Sequence, residues 1–185
     1  KLICEWMLRD YSAAYDIRHA ALRYFNASGG DREGRMGEWH EPESHLIPIA
    51  LEAAATGKPM NIFGVEHNTP DGTCIRDYIH VEDLARAHVL ALQHLREAEE
   101  SVQCNLGTGV GHSVREVLDA VERVVGKPVP TRTTPAQPGD PPQLVADPRR
   151  ARARLGFECR WTDFDEVIRS AWAFHEKLMK KRGAP

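Results

Sequence analysis

Residues 72–88, GTCIRDYIHVEDLARAH, join two periodicities with no loop between them. CIRDYIHV (74–81) alternates as a strand does. From Glu82 onward the apolar residues fall at Leu84, Ala87, Ala91, Leu92 and Leu95, a helical stripe. Glu82 and Asp83 stand in the first turn of that helix, where negative charge is favoured. A strand running straight into a helix is the unit from which α/β folds with parallel sheets are built.

The alternation continues on both sides. Upstream, HAALRYF (19–25) reads as a buried strand ending in the turn NASGG (26–30). HLIPIALEAAATG (45–57) reads as a helix stopped at Gly57, and MNIFG (60–64) as a short strand. Downstream, VQCNLGTGVGHS (102–113) is a strand followed by a glycine loop. Ser113 and Glu116 then form a capping box for a helix with the stripe Val114, Val117, Leu118, Val121 and Val125, ended by Gly126. Asp147 and Pro148 read as the N-cap and first residue of a short helix closed by Gly156. A last helix starting near Thr162 buries Phe164, Val167, Ile168, Ala171 and Trp172. PAQPGDPPQ (135–143) is closely flanked by regular elements, so an ordered surface loop is expected.

Composition narrows the function classes. Of 185 residues, 42% are hydrophobic, enough for a packed core, and the net charge of −3 gives no pull toward nucleic acid or anionic membrane. No apolar run reaches the roughly 18 residues of a membrane span, and nothing reads as a leader. Cys4, Cys74, Cys104 and Cys159 are scattered, as free thiols of a cytoplasmic protein are. The histidines include no H-E-x-x-H and none at zinc spacing from a cysteine, so no metal is expected. PRRARARLG (148–156) has four arginines and no interleaved aromatic, which reads as a solvated helix face.

KLICEWMLRDY (1–11) sets Leu2, Ile3, Trp6 and Met7 opposite Glu5, Arg9 and Asp10, with no capping residue before them. This stretch is expected to continue a helix that starts upstream, the chain being a fragment. The loop GTGVG (107–111) is G-x-G-x-G, not G-x-G-x-x-G, and no acid ends the next strand-like stretch, KPVPTRTTPA (127–136). A tight turn that lets a helix pack on its strand is expected there. Arg76 has two readings: a forked contact to a phosphate or carboxylate, or a surface pair with Asp77. Residue chemistry alone leaves both open.

The ordered set LRYFNASG, MGE, HLIP, IFG, TPDGTCIRDYIHVEDL, NLGTG, PGDPP, LVAD and LGF closely resembles the UDP-glucose 4-epimerases. These belong to the extended short-chain dehydrogenase/reductase family. The resemblance implies an α/β fold made of the last helix and strands of a Rossmann sheet plus a smaller α/β substrate-binding domain. Residues 1–30, with about 75–106 returning, would be the remnant of the NAD-binding Rossmann domain, and residues 31–185 the UDP-sugar-binding domain. It implies NAD-dependent interconversion of UDP-glucose and UDP-galactose through a 4-keto sugar. It also implies a homodimer paired through Rossmann-domain helices.

Site residues follow from the same resemblance. Lys1, followed by Leu2 and Glu5, matches the lysine of a Tyr-x-x-x-Lys pair, where it stabilises a phenolate and contacts the nicotinamide ribose. Tyr24 and Phe25 match residues beside the nicotinamide. Asn26 matches a contact to the diphosphate-sugar, and Asn61 and Phe63 match the uracil pocket; His45, where some members carry an asparagine that can likewise donate a hydrogen bond, and Leu46 count as substrate contacts. Arg76 matches the diphosphate clamp and Asp140 a ribose contact; Tyr78, adjacent, reads equally as a structural residue. Gln137 stands where members commonly carry an arginine on the diphosphate. Leu144 matches a position that gates the sugar 2-substituent, and a leucine there implies tolerance of N-acetylated sugars.

Without the Gly-rich NAD fingerprint and the tyrosine, the 185-residue chain alone is expected neither to bind NAD tightly nor to epimerise. The alternatives are another nucleotide-sugar enzyme of the same scaffold (a dehydratase, decarboxylase or pentose 4-epimerase) and a non-catalytic nucleotide-sugar-binding module.

Overall fold

The computed structural model describes residues 1–98 and 100–182. The elements run α1 (Leu2–Tyr15), β1 (Ala20–Tyr24), β2 (Asn26–Ser28), α2 (Leu46–Thr56), β3 (Met60–Phe63), β4 (Ile75–His80) and α3 (Val81–Glu97). They continue with β5 (Val102–Leu106), β6 (Gly111–Ser113), α4 (Val114–Val125), β7 (Thr131–Thr134), β8 (Gln143–Leu144), α5 (Arg149–Leu155) and α6 (Phe164–Arg182). The α/β reading holds, with β1 parallel to β5, β2 parallel to β4, and β3 parallel to β7.

Residues 26–30 are not simply a turn. The strand breaks at Phe25 and changes partner, from β5 to β4, so that Asn26–Ser28 pairs with Tyr78–His80. The short strands β6 and β8 both add to β4, antiparallel and parallel respectively. Two cores result. One joins α2, β3, α4 and α6 around Leu51, Ile62, Val117, Val121 and Ile168. The other joins β4, α3, β5 and α5 around Ile79, Leu84, Ala87, Leu106 and Phe157. Each fully buried aliphatic side chain there contributes roughly 1.5–3 kcal/mol.

The local stop and start signals act as their chemistry dictates. Gly57, Gly126 and Gly156 end their helices in the left-handed conformation. Ser113 and Glu116 make both bonds of the capping box. α5 begins one residue later than expected, because Pro148 occupies the N-cap position while the Asp147 carboxylate accepts the Arg149 N–H at 3.1 Å. Arg149, Arg150, Arg152 and Arg154 are exposed, on the helix face opposite buried Ala151 and Leu155. Leu92 departs from its stripe and is 59% exposed.

α1 meets the sheet through its polar side. Glu5 turns inward, accepting from Arg23 on β1 and Gln103 on β5. Leu2, Ile3, Trp6, Met7, Tyr11 and Tyr15 are exposed. None of the described residues covers that face. All four cysteines are free, and no described helix is long and apolar enough to cross a membrane.

Candidate functional site

β4 organises the site, and its polar residues each have a different task. Asp77 is fully buried. Its Oδ1 accepts from the Thr108 N–H at 3.0 Å and the Thr108 hydroxyl at 2.9 Å. Its Oδ2 accepts from the N–H groups of Gly109 at 3.0 Å and Ala146 at 3.2 Å. The glycine loop is therefore wrapped on a carboxylate of the neighbouring strand. A Cβ at Gly107 would lie 2.6 Å from that carboxylate and 2.4 Å from the Ala146 Cβ, so only glycine fits. The surface pairing of Arg76 with Asp77 does not occur.

Tyr78 belongs to the larger core and packs on Phe164, ring centroids 5.7 Å apart. Burial raises its hydroxyl pKa well above the usual phenol value. His80 caps α3: its Nδ1 accepts from the Glu82 N–H at 3.1 Å, and its Nε2 lies 3.0 Å from the Ser170 hydroxyl. Burial lowers its pKa. Gly29 is left-handed, and a Cβ there would lie 2.2 Å from the His80 ring. Asp83, also buried, accepts from the N–H groups of Arg160 and Trp161, tying α3 to the approach to α6.

A cavity of about 1410 Å³ opens beside this strand. Ordinary ligand sites hold roughly 300–1,000 Å³, so the space suits an extended ligand. Lys1, Tyr24 and Phe25 line it, the last two at the C-terminal end of β1, where α/β folds place ligands. Asn26 lines it with its side-chain amide fixed by donation to the Asp77 carbonyl at 2.8 Å. His45 and Leu46 enter at the N-terminus of α2. Asn61 and Phe63, the exposed alternate positions of β3, form another wall. Tyr78 reaches the cavity from the core.

Arg76, Asp140 and Gln137 also line the cavity. The Arg76 guanidinium donates to the Asp140 carboxylate and, at 2.8 Å, to the Ile75 carbonyl. Cys74 also reaches Asp140, its Sγ 3.5 Å from Oδ2, and burial raises that thiol's pKa. The charged pair is sheltered on one side only, Arg76 being 14% exposed and Asp140 39% in their side chains. Leu144 is the exception among the predicted residues. β8 sets it opposite Arg76 in the ladder, where it is 47% exposed and forms no part of the cavity wall.

Residues 36–45, passed over in the sequence apart from His45 and the MGE match, build a further wall with Met36, Glu38, His40 and Glu43. Glu38, His40, Glu43 and His45 bring four ligand-type atoms within 4.8 Å of one another. Their signal is the spacing Glu-x-His-x-x-Glu-x-His, which contains neither a cysteine nor H-E-x-x-H.

Residues 1–107 match the NAD dependent epimerase/dehydratase family. The chain belongs to that family. A UDP-glucose 4-epimerase of Rhizobium meliloti is 48% identical over 178 residues, 96% of this chain and 54% of the relative. The crystal structure of UDP-glucose 4-epimerase from Brucella ovis in complex with NAD matches with TM-score 0.89 and 52% identity, over 94% of this chain and 54% of that one. A UDP-glucose 4-epimerase from Stenotrophomonas maltophila with bound NAD and formylated UDP-arabinopyranose matches with TM-score 0.93 and 40% identity, over 98% and 55%. The chain thus spans about half the length of the family relatives it matches.

Proposed function

We propose that this chain supplies the UDP-sugar-gripping part of an NAD-dependent UDP-glucose 4-epimerase, which interconverts UDP-glucose and UDP-galactose. The single observation that carries the reading is the common cavity. Lys1, Tyr24 and Phe25 line one space with Arg76, Asp140, Asn61 and Phe63. A cation and an aromatic pair thus share a cavity with groups suited to a nucleoside diphosphate. The 48% identity to a UDP-glucose 4-epimerase supports the choice of reaction.

Arg76 grips the diphosphate. Its planar fork suits two phosphate oxygens, and the Asp140 carboxylate holds it ready. A ligand takes over this pair, the phosphate replacing the carboxylate on the guanidinium and a ribose hydroxyl donating to Asp140. Asn61 and Phe63 hold the uracil, with the Phe63 ring as a stacking face. His45 and Asn26 contact the diphosphate-sugar. The hexose itself is held loosely, so that both faces of C4 can be presented in turn.

The donor set at the other end fits the cofactor: the Lys1 ammonium suits ribose hydroxyls, and Tyr24 and Phe25 suit a flat ring. When bound, NAD supplies reversible oxidation at the sugar C4. Lys1 contributes the charge that favours a phenolate one helical turn away, the base for the C4 hydroxyl proton. The two cores support a division into a Rossmann part (residues 1–30 and about 75–106) and a UDP-sugar part (the rest of 31–185), with α5 packing in the core of the Rossmann part. In this reading the apolar face of α1 lies against the remainder of the Rossmann domain and a second copy, in a cytoplasmic homodimer.

Calorimetric titration of UDP into the 185-residue chain tests the assignment. UDP should bind, and Arg76→Leu should weaken it about 10- to 100-fold, the loss of a charge-assisted contact of roughly 1.5–3 kcal/mol. A folded chain that ignores UDP, or binds it equally well without Arg76, would contradict the reading.

A further inference from the structure

The segment between Gly37 and α2 carries Glu38, His40, Glu43 and His45 on the rim of the cavity. Both imidazoles turn Nδ1 toward the same carboxylate oxygen, Glu38 Oε1: that of His45 in close contact, that of His40 at 3.4 Å. His40 Nδ1 also lies 3.5 Å from Glu43 Oε1. The two rings meet edge to face, centroids 5.1 Å apart. A hydrogen bond accounts for one imidazole on one carboxylate. It leaves unexplained a second imidazole nitrogen aimed at the same oxygen, beside Glu43 Oε1, which itself accepts the Ser44 and His45 backbone N–H groups at 2.8 and 2.9 Å.

A cation at the centre of these atoms accounts for all four. Zinc bonds of about 2.0–2.2 Å to nitrogen and oxygen set tetrahedral ligand atoms about 3.3 Å apart. The 3.4 and 3.5 Å separations already match that spacing. The contact between His45 and Glu38 has to open, and the His40 and His45 side chains are 51% and 62% exposed. Two imidazoles with two carboxylates suit zinc, cobalt or nickel; calcium and magnesium prefer all-oxygen sites.

We propose that Glu38, His40, Glu43 and His45 form a binding site for a divalent transition metal. Bound there, the cation ties residues 38–45 into one unit and fixes the entry to α2. That entry carries His45 and Leu46 to the cavity wall. The site is separate from the redox cofactor, and its existence does not depend on the reaction assigned above.

The test is calorimetric titration of the chelator-treated 185-residue chain with ZnCl2. One Zn2+ per chain should bind saturably, while Ca2+ and Mg2+ should not. His40→Ala and Glu43→Gln should each weaken Zn2+ by about tenfold or more, as removal of even an outer-shell partner does. Cys4→Ser, at an exposed thiol, should leave binding unchanged. Zn2+ should raise the melting temperature of the parent chain and not that of His40→Ala, whose unliganded circular dichroism should match the parent. Co2+ on the parent chain should give ligand-field bands without thiolate charge transfer, a readout that needs no variant. Absence of saturable binding would overturn the proposal and leave the cluster as imidazole–carboxylate contacts. Equal affinity in the His40 variant, or a thiolate spectrum, would overturn it as well.

Discussion

Asp77→Asn is nearly isosteric and removes one charge from a fully buried position. The carboxylate now accepts four hydrogen bonds, two on each oxygen. An asparagine can keep its oxygen toward Gly109 and Ala146 and turn its amide nitrogen toward Thr108. The Thr108 hydroxyl can reverse to accept from that nitrogen, but the Thr108 N–H cannot. One buried donor is then orphaned, at roughly 1–3 kcal/mol, and the surviving bonds fall from charge-assisted to neutral strength, about 1 kcal/mol for each of two. The expected loss is therefore about 3–5 kcal/mol, a large part of the roughly 5–15 kcal/mol that holds an ordinary domain. Urea unfolding of the 185-residue chain, followed by circular dichroism, measures it. With a slope of about 3 kcal/mol/M, the midpoint should drop by about 1–1.7 M. A midpoint within about 0.3 M of the parent at unchanged slope would refute the role assigned to Asp77.

Two further outcomes follow from the same geometry. His80 must stay neutral to accept the Glu82 N–H, and burial lowers its pKa in the folded chain against Glu82 and Asp83, which favour the proton, and with Arg32, which opposes it. The unfolded chain takes up that proton near pH 6.5, so stability is full above about 6.5 and is lost as pH falls toward the folded value. Burial lowers His112 too, with the same sign. The fall in urea midpoint between about pH 7.5 and 5.5 should accordingly shrink, without vanishing, in His80→Asn, which keeps a capping side chain; an undiminished fall would contradict the assignment. Gln137→Arg adds a cation to the cavity wall beside Arg76 and Asp140. It should tighten UDP about tenfold or more, read by calorimetry, and an unchanged affinity would place residue 137 away from the diphosphate.

The elements with strong periodicity or caps were legible in the sequence. α4 was fixed by its stripe and by Ser113, Glu116 and Gly126, all of which act locally. The density of polar residues on β4 was visible, but their tasks were not. Asp77 serves a loop 31 residues downstream and Asp83 a turn 77 residues downstream, partners that only tertiary folding brings near. β2, β6 and β8 were missed for the same reason: two or three residues carry no period, and pairing with β4 alone makes them strands. α1 meets the sheet through Glu5, Arg23 and Gln103, a polar contact that the spacing of its apolar stripe does not reveal. All the expected site residues but Leu144 came together in one cavity, since resemblance carried over whole motifs. The Glu38–His45 cluster escaped because its spacing resembles no Cys/His metal pattern.

The central claim is tested most directly by joining these 185 residues to the part of a 48% identical relative that they do not cover, and supplying UDP-galactose and NAD. UDP-glucose is the expected product, inverted at C4 alone, with activity abolished by Lys1→Met while UDP binding persists. A folded chimera that binds UDP yet leaves C4 unchanged, or epimerises equally well without the Lys1 ammonium, would contradict it.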